Sequence, residues 1–170
     1  MTMTRPSDHQ PLPVPTMHSQ LRETDDTTAA YDADYYLWLQ ATRGKLARRD
    51  FASVDLMHLL EEIDDLSRRE KRKLKNLLRQ LLAHLLKLEY WTEETPRSGN
   101  HWRAEVASFR KQIRDELDDS PSLRAYLNDI YEACYTDARD IAAARSQRPL
   151  SAFPERPQLP LEQVLNLSSS

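Results

Sequence analysis

The sequence predicts an all-α protein, and three observations carry that reading. Apolar residues recur at helical spacing through most of the chain, which is the main signal of amphipathic helices. Glycine occurs only twice in 170 residues, at Gly44 and Gly99, which argues against a sheet-rich fold with tight turns. The prolines cluster at both ends, leaving long uninterrupted segments between them. The expected architecture is an antiparallel bundle of about five helices, a short C-terminal helix and a disordered N-terminal tail.

Residues 1 to 28 form the expected tail. Pro6, Pro11, Pro13 and Pro15 stand among Ser, Thr, Asp and His, with no apolar period. His9 and His18 read as ordinary tail residues. Residues 29 to 166 then form one helical domain. A first helix is expected from Asp32 to about Arg49, acidic at its start and basic at its end, as the helix dipole favours. Tyr35, Trp38, Leu39, Thr42 and Leu46 mark its buried stripe.

Ser53 reads as the cap of a second helix with an apolar face of Leu56, Leu59, Leu60, Ile63 and Leu66. Ser67 followed by Glu70 has the spacing of a capping box, in which serine and glutamate each satisfy a free backbone amide. The second helix is therefore expected to end or kink near Leu66, with a third from Arg68 to about Trp91. One continuous helix is the alternative. Leu74, Leu78, Leu81 and Leu85 are the expected core of this segment.

Glu93 to Asn100 reads as a turn-rich linker. A fourth helix follows from His101 to Asp118. Ser120-Pro121 restarts a fifth, because proline suits the first helical position. That helix runs to about Arg145 with Leu123, Leu127, Ile130, Cys134 and Ile141 on its apolar face. Pro149, Pro154, Pro157 and Pro160 interrupt the next stretch, and a short helix spans Leu161 to Leu165.

Composition excludes several function classes. P-loops, dinucleotide fingerprints and nucleophile elbows need closely spaced glycines, which this chain lacks. No window approaches the roughly 20 apolar residues of a membrane-spanning helix, and the N-terminus lacks the apolar core of a signal peptide. The expected compartment is the cytoplasm, and no membrane association is expected. Cys134 stands alone, which excludes an internal disulfide. The net charge of −3 is not that of a dedicated nucleic-acid binder.

Tyr31-Asp-x-Asp-Tyr35-Tyr-x-Trp38 is followed by Asp55-Leu, then Leu60-Glu61-Glu62-Ile63-Asp64, Glu70-Lys71-Arg72, and Leu81-Leu-Ala-His84-Leu-Leu-Lys87. Trp102-Arg103, Ser120-Pro-Ser-Leu123-Arg124, Tyr135-x-Asp137-Ala138-Arg139, Phe153-Pro154 and Leu161-Glu162-Gln-Val-Leu165 complete the order. This order resembles the domain-of-unknown-function family 29, a bacterial family found mainly in cyanobacteria and proteobacteria. The likeness covers about residues 30 to 166. Leu88 stands where the family commonly has an aromatic residue, and Pro160 where it often has threonine. The resemblance implies a compact helical fold and supplies no activity, so no catalytic residue is carried over.

The candidate site residues are Arg68, Arg72, Lys75, Arg79, His84, Trp102 and Arg103. The first four fall at i, i+4, i+7 and i+11 and span about 60° of a helix. Such a stripe can track phosphates. It lacks interleaved aromatics, and an acidic block precedes it, so an ion-paired face is the weightier reading. His84 sits at the edge of the leucine face. A structural histidine outweighs a metal ligand there, because nothing at ligand spacing accompanies it. His58, Glu61, Glu62 and Asp65 form a further acidic cluster, read as a solvated face pairing with Arg68 and Arg69. No catalytic residue, metal or cofactor is assigned. The expected function is a non-enzymatic interaction module, binding another protein or itself. The alternatives are a nucleic-acid accessory protein using the basic stripe, and a metal-dependent hydrolase using His58, Glu62 and His84.

Overall fold

A computed structural model describes residues 31–166, and the expected tail over residues 1–28 lies outside them. The described chain is all-α, with no strand. The helices are α1 (Tyr35–Ala47), α2 (Leu56–Tyr90), α3 (Thr95–Asp119), α4 (Leu123–Ser146) and α5 (Leu161–Leu165). Single 3-10 turns lie at Phe51–Ser53 and Leu150–Ala152. The chain divides into two compact units at Asp64/Asp65, and α2 runs through that boundary.

Two expected breaks are absent. α2 is one helix of 35 residues, so no helix restarts at Arg68. Between Asp55 and Thr95 there is no glycine or proline, and an exposed serine costs a helix only a few tenths of a kcal/mol. The expected linker is also largely helical. α3 begins at Thr95, with Pro96 in its first turn, where the missing N–H costs nothing. Ser120 closes α3 instead of opening α4, which starts two residues after Pro121. Ser53 bonds Asp50 at 2.9 Å; the cap of α2 is Asp55, which accepts the amide of His58 at 3.3 Å. Asp34 caps α1 by accepting the amide of Leu37 at 3.0 Å.

The second unit, from Asp65 onward, is a bundle of three long helices. Lys73 pairs with Glu116 and Lys87 lies on Trp102, so α2 and α3 run antiparallel. Lys71 meets Tyr126 and Arg79 meets Asp137, so α2 and α4 run parallel. Leu74, Leu78 and Leu81 are fully buried against Ile113, Leu127, Cys134 and Ala138; Leu85 is half-buried at the edge. The proline-rich segment is laid on this bundle rather than left loose. Phe153, Leu161, Val164 and Leu165 enter the core. The phenols of Tyr131 and Tyr135 donate to the carbonyls of Leu159 and Pro154, and Arg139 donates to those of Phe153 and Leu150. Prolines cannot enter a helical ladder, so side chains satisfy these carbonyls instead.

The first unit, over residues 31–64, keeps Trp38 and Thr42 of the expected α1 stripe buried and departs from the rest of the expected faces. Its buried side chains are Trp38, Thr42, Val54, His58 and Glu62. Tyr35, Leu39 and Leu46 of the expected α1 stripe are exposed, as are Leu56, Leu60 and Ile63 of α2. Leu66, the last of that face, is exposed as well, at the start of the second unit.

Two substitutions test this frame. Leu81→Ala is expected to destabilise by about 2–5 kcal/mol, the range for truncating a fully buried leucine. Ser67→Ala is expected to be neutral or slightly stabilising, because serine is a mid-helix residue here and not a cap. Chemical denaturation of both variants checks this, and a loss of about 1 kcal/mol on Ser67→Ala would restore the broken-helix reading.

Candidate functional site

In the first unit, α1 and α2 meet through polar aromatic contacts. The hydroxyls of Tyr31 and Tyr35 donate to the two carboxylate oxygens of Glu62, at 2.5 and 2.8 Å. That carboxylate holds the Tyr31 phenol well above its ordinary range, at about 12. His58 stacks on Tyr31 with ring centroids 4.5 Å apart, and Trp38 meets Tyr31 edge-on at 4.9 Å. Asp55 accepts the Nδ1 proton of His58 at 2.6 Å, which fixes that ring's orientation. The indole N–H of Trp38 is buried and finds no partner among the described residues. A cavity of about 320 Å3 runs along α1, lined by Ala33, Asp34, Leu37, Trp38, Ala41, Thr42 and Lys45.

This arrangement corrects the reading of His58 and Glu62 as part of a solvated face. Glu61 and Asp65 behave as expected: Glu61 is exposed, and Asp65 pairs with Arg68 and lies 4.0 Å from Arg69, which holds its carboxyl below the usual range. A sequence signal for the burial exists. Tyr31, Tyr35 and Trp38 recur at i, i+4 and i+7, and buried phenols need acceptors. Asp55, His58 and Glu62 recur at i, i+3 and i+7, also one helical face, on the segment opposite.

In the second unit the basic stripe is largely engaged. Arg68 pairs with Asp65, while Lys75 and Arg79 approach Asp137 at 4.0 and 3.9 Å. Arg79 also donates to Asn76 at 2.9 Å, and its Nε is buried without a partner. Arg72 makes no ion pair among the described residues. Arg103 bonds Asn100 on its own helix at 3.1 Å.

His84 and Trp102 belong to a buried cluster between α2 and α3. The Nδ1–H of His84 donates to the Gln80 carbonyl at 2.8 Å, and the ring tilts against Phe109. Burial pushes the imidazole below its ordinary range, so it is neutral near pH 7. One turn on lies Lys87, only 4% exposed, with its ammonium 4.9 Å from the Trp102 ring centre. Trp102 in turn stacks on Trp91 at 5.4 Å. Burial pulls the Lys87 amine down to about 8; Arg145 acts in the same direction and Glu105 opposes. The aromatic face returns part of the lost hydration. The sequence did not single out Lys87, since the charge rule places lysines on the outside. The burial of Cys134 matches its expected role as a core thiol.

Among the described residues no group of three or more His, Cys, Asp or Glu side chains could hold a metal ion. No helix described is long and apolar enough to cross a membrane. The family described as Domain of unknown function DUF29 matches residues 30–168, and the chain belongs to it. No curated protein and no solved structure matches the chain.

Lys87 offers a test by pH. Free lysine titrates near 10.5 and buried Lys87 near 8. Between those values the unfolded chain binds a proton that the folded chain has lost, so this group's contribution to stability rises with pH. Lys87→Met keeps the stem and removes the charge. Its thermal midpoint is expected to exceed that of wild type below pH 8, with the gap closing toward pH 10.5. Melting curves across this range check it; a gap independent of pH would place the ammonium in water.

Proposed function

We propose that this protein is a non-enzymatic interaction module whose first unit binds another protein through an apolar helical surface. One observation carries the reading. In residues 31–64, ten large apolar side chains are exposed: Tyr35, Tyr36, Leu37, Leu39, Leu46, Phe51, Leu56, Met57, Leu60 and Ile63. Only Trp38 and Val54 among the apolar residues there are buried. Among the described residues of the much longer second unit, only Leu66, Leu150 and Leu159 are exposed to that degree. A concentration of apolar surface of this kind marks an interaction site, whereas scattered single residues need no explanation. Helix faces reading i, i+4, i+7, as Leu56, Leu60 and Ile63 do, are how grooves and partner helices are bound.

The two other readings have less support. The basic stripe is drawn into pairs with Asp65 and Asp137, which lowers its availability to phosphates. For a hydrolase, both oxygens of Glu62 are occupied by tyrosine hydroxyls, and Nδ1 of His84 is committed to a backbone carbonyl.

The test uses the full chain as bait in extract from its native cell, beside the double variant Leu60→Asp/Ile63→Asp. Both positions are more than half exposed, so stability should change by no more than about 0.5 kcal/mol each. Wild type is expected to retain a specific protein, and the variant to lose it by roughly 30-fold or more in affinity, the level of interface hot spots. Equal retention by both would refute the surface named here.

A further inference from the structure

We propose that Lys87 is a site of covalent modification, at which a small acyl phosphate acylates the ε-amine ahead of the other five lysines of the chain. The site lies in the second unit and does not depend on the surface proposed above. Three features of the contact between α2 and α3 lead to it.

The first is the missing partner. Lys87 makes no hydrogen bond or ion pair among the described residues, and its nitrogen rests 4.9 Å from the centre of the Trp102 ring. Lys73 pairs with Glu116, Lys111 pairs with Asp115, and Lys75 approaches Asp137. A paired ammonium must lose both its proton and its carboxylate before it can react, whereas Lys87 has only the proton to lose. Lys45 and Lys71 also lack a carboxylate partner but are more exposed to water than Lys87.

The second is a packed stem with the nitrogen outermost. The residue as a whole is 4% exposed. Among the described residues, the buried side-chain nitrogens with neither a partner nor contact with solvent are Nε1 of Trp38 and Nε of Arg79. Lys87 has no partner and is not among them, so its small remaining exposure includes Nζ. The methylenes are covered, and the amine is what a small electrophile meets.

The third is the charge around that amine. On α2, His84 stands one turn earlier and is neutral near pH 7, with its Nδ1–H committed to the Gln80 carbonyl. On α3, Glu105 and the face of Trp102 favour the ammonium; on α4, Arg145 opposes it. Burial and Arg145 prevail, and the amine titrates near 8. A desolvated lysine close to another cation is a recognised form of activated nucleophile. At pH 7 about one chain in ten then carries a free lone pair at a lysine titrating near 8, against about one in three thousand for an ordinary lysine.

The reaction balances without a further reagent. The lone pair of the neutral amine attacks the carbonyl carbon of the acyl phosphate and a C–N bond forms. The bond from that carbon to the phosphate oxygen breaks, and phosphate leaves with the electron pair and takes up the proton shed by nitrogen. The product is a neutral amide. It gives up the cation–aromatic contact with Trp102 and is relieved of the cost of a buried charge. The lowered proton affinity of Lys87 shows that this cost is the larger of the two.

Acetyl phosphate is the probe. The full chain is incubated with it at pH 7, both folded and in concentrated urea, and peptide mass spectrometry follows each lysine with time. In the folded chain Lys87 is expected to be acetylated about tenfold or more faster than any other lysine, since lower basicity and narrow access take back part of its roughly 300-fold advantage in free amine. In urea all six lysines are expected to react within about threefold of one another, because each then has the ordinary proton affinity. The folded Lys87 rate is expected to level off above about pH 8, while exposed lysines speed up toward about pH 10. Chain acetylated at Lys87 is expected to melt above the unmodified chain at pH 7. Acetylation of folded Lys87 no faster than that of the exposed lysines, or a lead that persists in urea, would overturn the proposal. So would a Lys87 rate that climbs with the exposed lysines to pH 10, or an acetylated chain that melts below the unmodified one.

Discussion

Everything in this fold depends on α2 remaining a single helix. Thirty-five residues without glycine or proline supply an unbroken ladder of backbone bonds. Backbone bonds alone do not hold a helix in water, where nearly all of its stability comes from burying a face. From Leu74 to Leu86 that face is a conventional leucine seam, closed by α3, α4 and the C-terminal segment. From Leu56 to Asp64, Leu56 and Leu60 are exposed, Leu59 is half-buried, and the buried line is His58 and Glu62. The same helix thus meets two kinds of environment, dictated by what the neighbouring sequence offers. Facing Leu74 and Leu78 are Leu117, Ile113 and Leu127. Facing His58 and Glu62 are two phenols and an indole.

The polar junction has particular energetic consequences. A buried carboxylate without donors is costly, and removing a donor leaves the cost of its desolvation behind. Tyr31 and Tyr35 each supply one donor to Glu62, so α1 is held by directional bonds more than by contact area. Directional bonds fix the orientation of α1 but bury little apolar surface. A unit with two buried apolar side chains sits at the low end of local stability, where opening is cheap and binding energy from a partner counts most. Exposed leucines and a polar junction are therefore consistent with each other: the aliphatic surface missing from the interior is available outside.

How much of this was legible in the sequence varied with the strength of the local signal. The all-α class, the leucine seam and the short last helix followed from period and composition. Leu74, Leu78 and Leu81 were placed correctly because a leucine seam flanked by charges admits one orientation. The break at Ser67 was misread because a capping box is a statement about a helix end, and nothing else in the segment ends the helix. The start of α3 was misread for a related reason. Glycine, proline and serine cluster at 95–99, yet proline in a first turn and serine bonded to Glu94 are both compatible with helix. The family relationship was legible from the order of short segments, none of them diagnostic alone.

The two buried charges show why the candidate site was harder to read than the fold. Glu62 and Lys87 look in the sequence like ordinary surface residues, and hydrophobic patterning assigns them outward. What reverses that assignment is chemistry from elsewhere in the chain: phenol donors 27 and 31 residues away for Glu62, and the face of Trp102 for Lys87. The two are solved differently. Glu62 keeps hydrogen bonds to its charged form. Lys87 makes no ion pair among the described residues, and burial lowers its affinity for a proton because its desolvation is incompletely repaid. A lysine in that state is tolerated where its four-carbon stem contributes packing that a shorter residue would not, which is how long charged side chains cover apolar surface. On that account Lys87 serves the bundle through its methylenes and Glu62 serves the first unit through its charge. Leu56, Leu60 and Ile63 do neither: their apolar surface is left uncovered in the first unit.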